Sequence, residues 1–242
     1  MAKQSQVWFT SDPHFRHRLV AGKRGFFAAD GTPDTDAHDN AIVANWNKLV
    51  APRDTVWVLG DITLGRASLA WPYVDQLNGV KHLITGNHDA PFGGHHDACK
   101  HQRAWMDHFE SVQAYARRRL EGHDLLLSHF PYDGDHGEDR YVQYRLQDDG
   151  ETPVLHGHTH ADKKITRSAR GTLQIHVGLD AHGLHPAPIG WVQQAVRTVT
   201  ALDAAYFAAQ DAALLADPDL QESLRQMRAG EFGPAYAPDG QP

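Results

Sequence analysis

Five short clusters of Asp, His and Asn, each directly after an apolar strand-like segment, constrain this chain more than any other feature. The clusters are Ser11-Asp12-Pro13-His14, Gly60-Asp61, Gly86-Asn87-His88-Asp89, Ser128-His129 and His156-Gly157-His158-Thr159-His160. Buried strands that end in metal-ligating side chains predict one site assembled at the edge of a sheet. Carboxylate, imidazole and amide groups together suit two divalent cations that share a ligand, which indicates hydrolytic chemistry.

Alternating strand-like and helix-like segments surround these clusters. Strands are expected at Val7–Thr10, Thr55–Leu59, Val80–Thr85, Ser111–Leu120, Asp124–Leu127, Val154–His156 and Leu173–Val177. Helices are expected at Ala37–Val50 with Asp36 as N-cap, at Lys100–Phe109 and at Asp139–Leu146. Arg66–Leu77 also has a helical pattern, but Pro72 predicts a break or two short pieces there. The alternation favours an α/β, mixed-sheet architecture over a helical bundle or a β-sandwich.

Composition narrows the classes of function. The chain has 242 residues, 23 of them basic and 30 acidic, and a net charge of −7. Proteins that work along nucleic acid normally carry a basic stripe, so long nucleic acid is not an expected partner. The single cysteine, Cys99, excludes an internal disulfide framework. A polar N-terminus and the lack of an apolar run of roughly 20 residues predict a cytoplasmic protein with no signal peptide and no membrane contact.

Three regions are expected along the chain. Residues 1–190 carry all five clusters and form the predicted catalytic domain. Residues 191–229 are Ala-rich with an apolar stripe at helical spacing, which predicts a helical extension that packs on the domain or on a partner. Residues 230–242 are rich in Gly and Pro and are expected to be a flexible tail. A homo-oligomer formed through the C-terminal helices is an open alternative.

The ligand types suggest individual roles within the site. Asp12 and His14, two residues apart at a strand end, can both turn toward one ion. Asp61 follows a glycine, and its two carboxylate oxygens make it the natural bridging ligand. Asn87 offers a neutral oxygen of the kind that hard cations accept. The set is completed by His129, His158 and His160.

The order Asp-x-His, Gly-Asp, Gly-Asn-His-Asp, His and Gly-His-x-His resembles the calcineurin-like metallophosphoesterase superfamily, over residues 7 to about 180. The resemblance implies a four-layer α-β-β-α sandwich of two mixed sheets flanked by helices, here with a C-terminal helical extension. It further implies a first metal bound by Asp12, His14 and His160, a second bound by Asn87, His129 and His158, and Asp61 shared by both.

The same resemblance implies a reaction. A hydroxide bridging the two metals attacks phosphorus in line with the leaving oxygen, and His88 acts as the general acid. An imidazole suits that role because its ordinary pKa, roughly 6.5, is near the working pH. Asp89 is expected to orient His88 or its loop. Arg16 and His17 are candidate substrate contacts; His182, which follows the last strand together with Asp180, is a candidate for the cleft rim, with a turn role as the alternative.

The substrate class follows from what surrounds the motifs. Gly60-Asp61 is followed by Ile62-Thr63-Leu64-Gly65 rather than by the Asp-Arg-Gly block of phosphoprotein phosphatases. The compact length, the opening Asp12-Pro13-His14-Phe15-Arg16-His17 and the block from His156 to His160 look most like small bacterial or phage-encoded members of the superfamily. This resemblance implies hydrolysis of phosphodiesters. We therefore expect a phosphodiesterase acting on small phosphodiesters or nucleotides, with 2′,3′-cyclic nucleotides first, and two divalent ions, Mn²⁺ before Fe, Zn or Ni. The alternatives are a phosphomonoesterase, a nuclease on short single strands, and a non-enzymatic metal-stabilised binding or interaction module.

Overall fold

The structure, a computed structural model, describes residues 5–135, 137–216 and 218. Within these residues, ten strands form two sheets of five. The strands are β1 (Val7–Thr10), β2 (Thr55–Val58), β3 (Val80–Ile84), β4 (Ser111–Gln113), β5 (Ala116–Leu120), β6 (His123–Leu127), β7 (Val154–His156), β8 (Ile165–Arg167), β9 (Leu173–His176) and β10 (Ala187–Pro188). The predicted tail at 230–242 and the part of the helical extension at 219–229 lie outside the described residues.

The first sheet has the order β10-β1-β2-β3-β4. Strands β1 to β4 run parallel, with Trp8 opposite Val56 and Val56 opposite Lys81, and β10 pairs antiparallel with β1. Apolar side chains bury this sheet, since Phe9, Val56 and Leu83 have no exposed surface. The parallel order brings the carboxyl ends of β1, β2 and β3 to the same edge.

The second sheet has the order β5-β6-β7-β9-β8. Its central strands β6, β7 and β9 are parallel, and the outer strands β5 and β8 pair antiparallel with their neighbours. The carboxyl ends of β6 and β7 therefore also meet at one edge. Two mixed sheets with connecting helices confirm the predicted α/β fold class.

The helices are α1 (Arg18–Lys23), α2 (Thr35–Leu49), α3 (Trp71–Val74), α4 (Ala98–Met106) and α5 (Ile189–Ala216). Ile42 and Trp46 of α2 are buried in the core that includes the first sheet. The N-cap of α2 is Asp34, whose side chain accepts from the amide of Ala37, rather than the predicted Asp36. The segment expected over Arg66–Leu77 forms two short pieces, a 3-10 helix at Ala67–Leu69 and α3, and Pro72 lies in the first turn of α3.

Two further local predictions were wrong. The single strand expected at Ser111–Leu120 is two strands, β4 in the first sheet and β5 in the second, so the chain crosses between sheets at residues 114–115. The helix expected at Asp139–Leu146 is only a 3-10 turn, Val142–Tyr144. Tyr141 precedes that turn with a left-handed backbone, φ 57°, which ends any helix continuing from residue 139.

The chain divides into two compact units, Met1–Val196 and Arg197–Pro242. In the first unit, the buried face at the start of α5 consists of Val192, Ala195 and Val196. These residues belong to the apolar stripe expected there. In the second unit, the described residues continue α5 to Ala216. No helix among the described residues is both long and apolar enough to cross a membrane.

Candidate metal centre

The five predicted clusters follow the carboxyl ends of β1, β2, β3, β6 and β7. Backbone contacts tie their loops together: the amide of Asp12 donates to the carbonyl of Gly60 at 3.0 Å, and that of His14 to Asp61 at 3.1 Å. The carboxylate of Asp12 accepts a hydrogen bond at 2.9 Å from the amide of His158, which lies in the loop after β7 of the other sheet. The two sheet edges therefore share one site.

Five of the predicted ligands have a left-handed backbone conformation. Their φ angles are 59° for Asp12, 49° for His14, 56° for Asp61, 69° for His158 and 49° for His160. This conformation is uncommon for residues other than glycine, and such strain is typical of functional sites. These five residues lie in the loops that follow β1, β2 and β7, and their side chains belong to the two candidate ligand groups.

Two glycines make the close approach of these loops possible. A Cβ atom on Gly157 would collide with the side chains of Ser11 and Asp12. A Cβ atom on Gly86 would collide with the carboxylate and backbone of Asp61. These two motif glycines therefore allow neighbouring loops to pack in direct contact.

The first candidate ligand group consists of Asp12, His14 and His160. The Nε2 atoms of His14 and His160 are 3.1 Å apart, and Asp12 Oδ1 lies 3.9 and 4.0 Å from them. Asp12 Oδ1 is buried and has no hydrogen-bond partner among the described residues. A buried carboxylate oxygen that faces two imidazole nitrogens fits a divalent cation.

The second candidate group consists of Asp61, His129 and His158. His158 Nδ1 lies 3.2 Å from His129 Nε2, and Asn87 Oδ1 lies at the same distance from that atom. Asn87 therefore lies beside this group, where its side-chain oxygen could serve as a further ligand. Oxygen and imidazole donors in this arrangement also fit a divalent cation.

Asp61 lies between the two groups. Its Oδ2 atom is 3.6 Å from His14 Nε2 and 3.5 Å from His129 Nε2. Burial and the neighbouring Asp12 raise the pKa of Asp61 well above its usual value. Cations at the two groups would offset this effect by compensating the buried negative charge.

The outer nitrogens of three histidines are held by oxygen acceptors. His129 Nδ1 lies 2.7 Å from the carbonyl of Leu59, His160 Nδ1 lies 2.8 Å from Asp180, and His158 Nε2 lies 3.0 Å from Asp135. Burial opposes ionisation of Asp180, but hydrogen bonds from Arg24 and His160 hold its pKa well below the usual range. Sequence reasoning expected Asp180 only near the end of the last strand and did not single out Asp135.

His88 stands beside the shared carboxylate. Its amide donates to Asp61 Oδ1 at 2.9 Å, its Nε2 lies 3.9 Å from Asp61 Oδ2, and 36% of its side chain is exposed. Burial and the neighbouring His129 and His17 lower the pKa of His88 to about 4. A pKa this low favours the neutral form of the ring at pH 7.

The three predicted substrate contacts have other partners. The Arg16 guanidinium pairs with Asp36 and donates to the Tyr73 hydroxyl at 3.0 Å. His17 caps α1 by accepting from the amide of Val20, with its ring centroid 5.4 Å from that of His14. His182 lies 3.0 Å from the carbonyl of His176 and packs against Trp191. Of these three, His17 is in contact with a predicted ligand.

A cleft of about 490 Å³ opens beside the first group. It is lined by Val20, Lys23, Gly134, Asp135, Thr159, His160, Ala161 and Asp180. Its volume is in the range of sites for small molecules and cofactors.

Comparison with known proteins shows relatives that match about three quarters of the chain. The sequence is 43% identical over 192 residues to the Gene 66 protein of Mycobacterium phage L5, covering 74% of this chain and 88% of that one. Identity to the Gene 66 protein of phage D29 is also 43%, over 75% and 92% of the two chains. A structure from Aquifex aeolicus, a protein of unknown function, shares the fold with a TM-score of 0.59 at 22% identity, over 79% of this chain and 99% of that one.

The family comparison covers most of the candidate centre. The calcineurin-like phosphoesterase superfamily domain matches residues 35–190, which include Asp61, Asn87, His129 and the Gly-His-x-His block. Asp12 and His14 precede the matched segment, yet the fold brings them to the same site. The chain belongs to the calcineurin-like phosphoesterase superfamily.

Proposed function

We propose that this chain is a dinuclear metal-dependent phosphodiesterase that hydrolyses small phosphodiesters, with 2′,3′-cyclic nucleotides as the leading substrate class. The main support is the position of Asp61 Oδ2, within 3.6 Å of a nitrogen in each ligand group. The proposed ligands are Asp12, His14 and His160 for one ion, Asn87, His129 and His158 for the other, and Asp61 for both. Two bound cations supply Lewis-acid activation of water and of phosphoryl oxygens.

Manganese is the proposed ion because the donor set combines carboxylate, amide and imidazole groups without a thiolate. Iron, zinc and nickel accept the same donors and are the expected substitutes. The buried carboxylates of Asp12 and Asp61 would compensate half of the positive charge that two divalent cations bring.

His88 is proposed to act on the leaving oxygen. Its ring stands beside Asp61 and is partly open to solvent, so a substrate phosphate at the centre lies within its reach. With a pKa of about 4 in the protein alone, the neutral ring donates a hydrogen bond to that oxygen. An adjacent phosphodiester anion favours the protonated imidazole and so promotes its action as a general acid.

The proposed substrate size rests on the cleft beside His160. Its volume of about 490 Å³ suits a single nucleotide rather than a long strand, and Lys23 supplies a positive charge on its wall. A cyclic diester also needs little binding surface, because its leaving oxygen remains tethered to the substrate. The net charge of −7 agrees with a small substrate rather than a polymer.

The test is a set of initial rates on the manganese-loaded protein. The substrates are 2′,3′-cyclic nucleotides, bis-(4-nitrophenyl) phosphate, 4-nitrophenyl phosphate and a short single-stranded oligonucleotide. We expect the diesters to turn over faster than the monoester, and the cyclic nucleotides fastest. A higher kcat/KM for the monoester would contradict the proposal.

The His88→Ala variant separates catalysis from metal retention. We expect a loss of about 10²- to 10⁴-fold in kcat with both ions kept. His96→Ala is the matched control, since His96 is exposed in the following loop. Metal binding without hydrolysis of any substrate would instead favour a metal-stabilised binding module.

A further inference from the structure

The two histidines of Gly157-His158-Thr159-His160 face the centre through opposite ring nitrogens. His160 directs Nε2 toward His14 Nε2, at 3.1 Å, whereas His158 directs Nδ1 toward His129 Nε2, at 3.2 Å. Two otherwise similar side chains, two residues apart, must therefore be held in different tautomers to present a lone pair to an ion.

An aspartate holds the other nitrogen of each ring. Asp180 Oδ2 lies 2.8 Å from His160 Nδ1, and Asp135 Oδ2 lies 3.0 Å from His158 Nε2. An ionised carboxylate only accepts hydrogen bonds, so each aspartate requires the proton on the nitrogen that faces it. The lone pair of each ring is then left on the side of the metal centre.

An arginine holds each aspartate in turn. Arg24, only 4% exposed, donates to Asp180 from Nε at 2.8 Å and from a terminal nitrogen at 2.7 Å. Arg24 also donates to the carbonyl of Asp12 at 2.8 Å, so it fixes the loop that carries two more ligands of the first group. On the other side, Arg145 pairs with Asp135 at 3.2 Å, and both side chains are at most 3% exposed.

We propose that Arg24–Asp180 and Arg145–Asp135 are two positioning pairs, each of which sets the metal affinity of one ligand group through its own histidine. Asp180 acts on the first group through His160, and Asp135 on the second through His158. A partner that fixes the orientation and tautomer of a ligating imidazole typically changes metal affinity by about 10- to 100-fold. The inference rests on the proposed metal occupancy but not on the substrate.

The test is equilibrium dialysis of the chelated full-length protein against MnCl₂, with bound manganese measured by mass spectrometry. The wild type is expected to bind two ions per chain. Asp180→Asn and Asp135→Asn should each weaken one dissociation constant by about 10- to 100-fold and leave the other unchanged. Asp124→Asn is the matched control, because Asp124 forms an exposed pair with Arg117 far along the second sheet; it should bind like the wild type.

A double-mutant cycle tells which pair acts on which group. In a His160→Ala background, where the first group is already disrupted, adding Asp180→Asn should not weaken the remaining ion further. Adding Asp135→Asn in that background should weaken it by the same factor as in the wild type. Further weakening by Asp180→Asn, or none by Asp135→Asn, would overturn the division of roles.

Folding is checked by the melting curves of the chelated variants. If Asp180→Asn does not fold, Asp180→Glu keeps the charge, shifts the acceptor by one methylene, and should show the same selective loss. If both aspartate variants bind manganese like the wild type, the positioning pairs are refuted and the proposed function is not affected. Failure of the wild type to bind manganese, iron, zinc or nickel would instead contradict the proposed function.

Discussion

The amide of Asp61 donates a hydrogen bond to Asp89 Oδ2 at 3.0 Å. The same carboxylate accepts from the amides of Gly86 at 2.8 Å and Ile62 at 2.9 Å. Asp89 therefore joins the loop after β2 to the loop after β3, which carry Asp61 and Asn87. It acts on the backbone of these loops, and this sets the position of the shared ligand relative to the second group.

Asp89→Asn should destabilise the protein and weaken manganese binding together. The amide of Asn has one acceptor oxygen and brings a donor against backbone N–H groups, so we expect a loss of about 2–4 kcal/mol in the free energy of unfolding. Urea denaturation and manganese titration measure the two effects. Asp54→Asn is the control, since Asp54 also accepts three N–H donors, from Gln6, Trp8 and Ala51, outside the centre. Asp54→Asn should lower stability only; equal metal affinity in both variants would contradict the role given to Asp89.

Asp61→Asn should remove more metal than any other single ligand change. The side chain faces both groups, and an amide has no second anionic oxygen to share between two cations. We expect less than one manganese per chain at concentrations that saturate the wild type, and no measurable turnover. Metal analysis after gel filtration gives the stoichiometry. Two retained ions with normal activity would show that Asp61 is not the shared ligand.

Gly157→Ala should destabilise the protein and weaken manganese binding through a steric clash. Its Cβ atom would collide with Ser11 and Asp12, so the loop carrying His158 must move. Overpacking of this kind costs about 1–3 kcal/mol, and we expect weaker manganese binding as well. Gly93→Ala is the control, because no atom lies within 4 Å of the Cβ position there. Thermal melting and metal titration of both variants check the prediction, which equal behaviour would refute.

The buried His156 should make the free energy of unfolding depend on pH. Burial and the adjacent His176 lower its pKa to about 3, against roughly 6.5 in an unfolded chain. Between these values the unfolded state binds the extra proton, so stability falls as the pH falls from about 6.5 to about 3, by up to about 1.4 kcal/mol per pH unit for this residue. Urea denaturation of the chelated protein measures the slope. His156→Asn should make the slope shallower, and an unchanged slope would show that His156 is not a source of it.

The sequence alone was sufficient to predict those strands that show a clear local pattern. Apolar segments followed by ligand-type side chains located β1, β2, β3, β6 and β7, and the fold brings the following loops together. The crossing between sheets at residues 114–115 was not predictable in this way, because β4 and β5 read as one continuous strand and only their partners separate them.

The positioning pairs were missed for a different reason. Arg24 and Asp180 are 156 residues apart in the chain, and neither follows a recognisable motif. Asp135 lies in a loop of polar residues that resembles ordinary surface. The signal for all three residues is their burial and their contact with histidines, and both depend on tertiary packing.

The left-handed conformation shared by Asp12, His14, Asp61, His158 and His160 has a consequence for how the protein acquires its ions. The unfavourable geometry is imposed by strand pairing and loop contacts, so folding, rather than ion capture, supplies the free energy that arranges the donors. We therefore expect loading and exchange of cations to proceed without rearrangement of the main chain. The identity of the occupant in a cell would then follow the local supply of each ion.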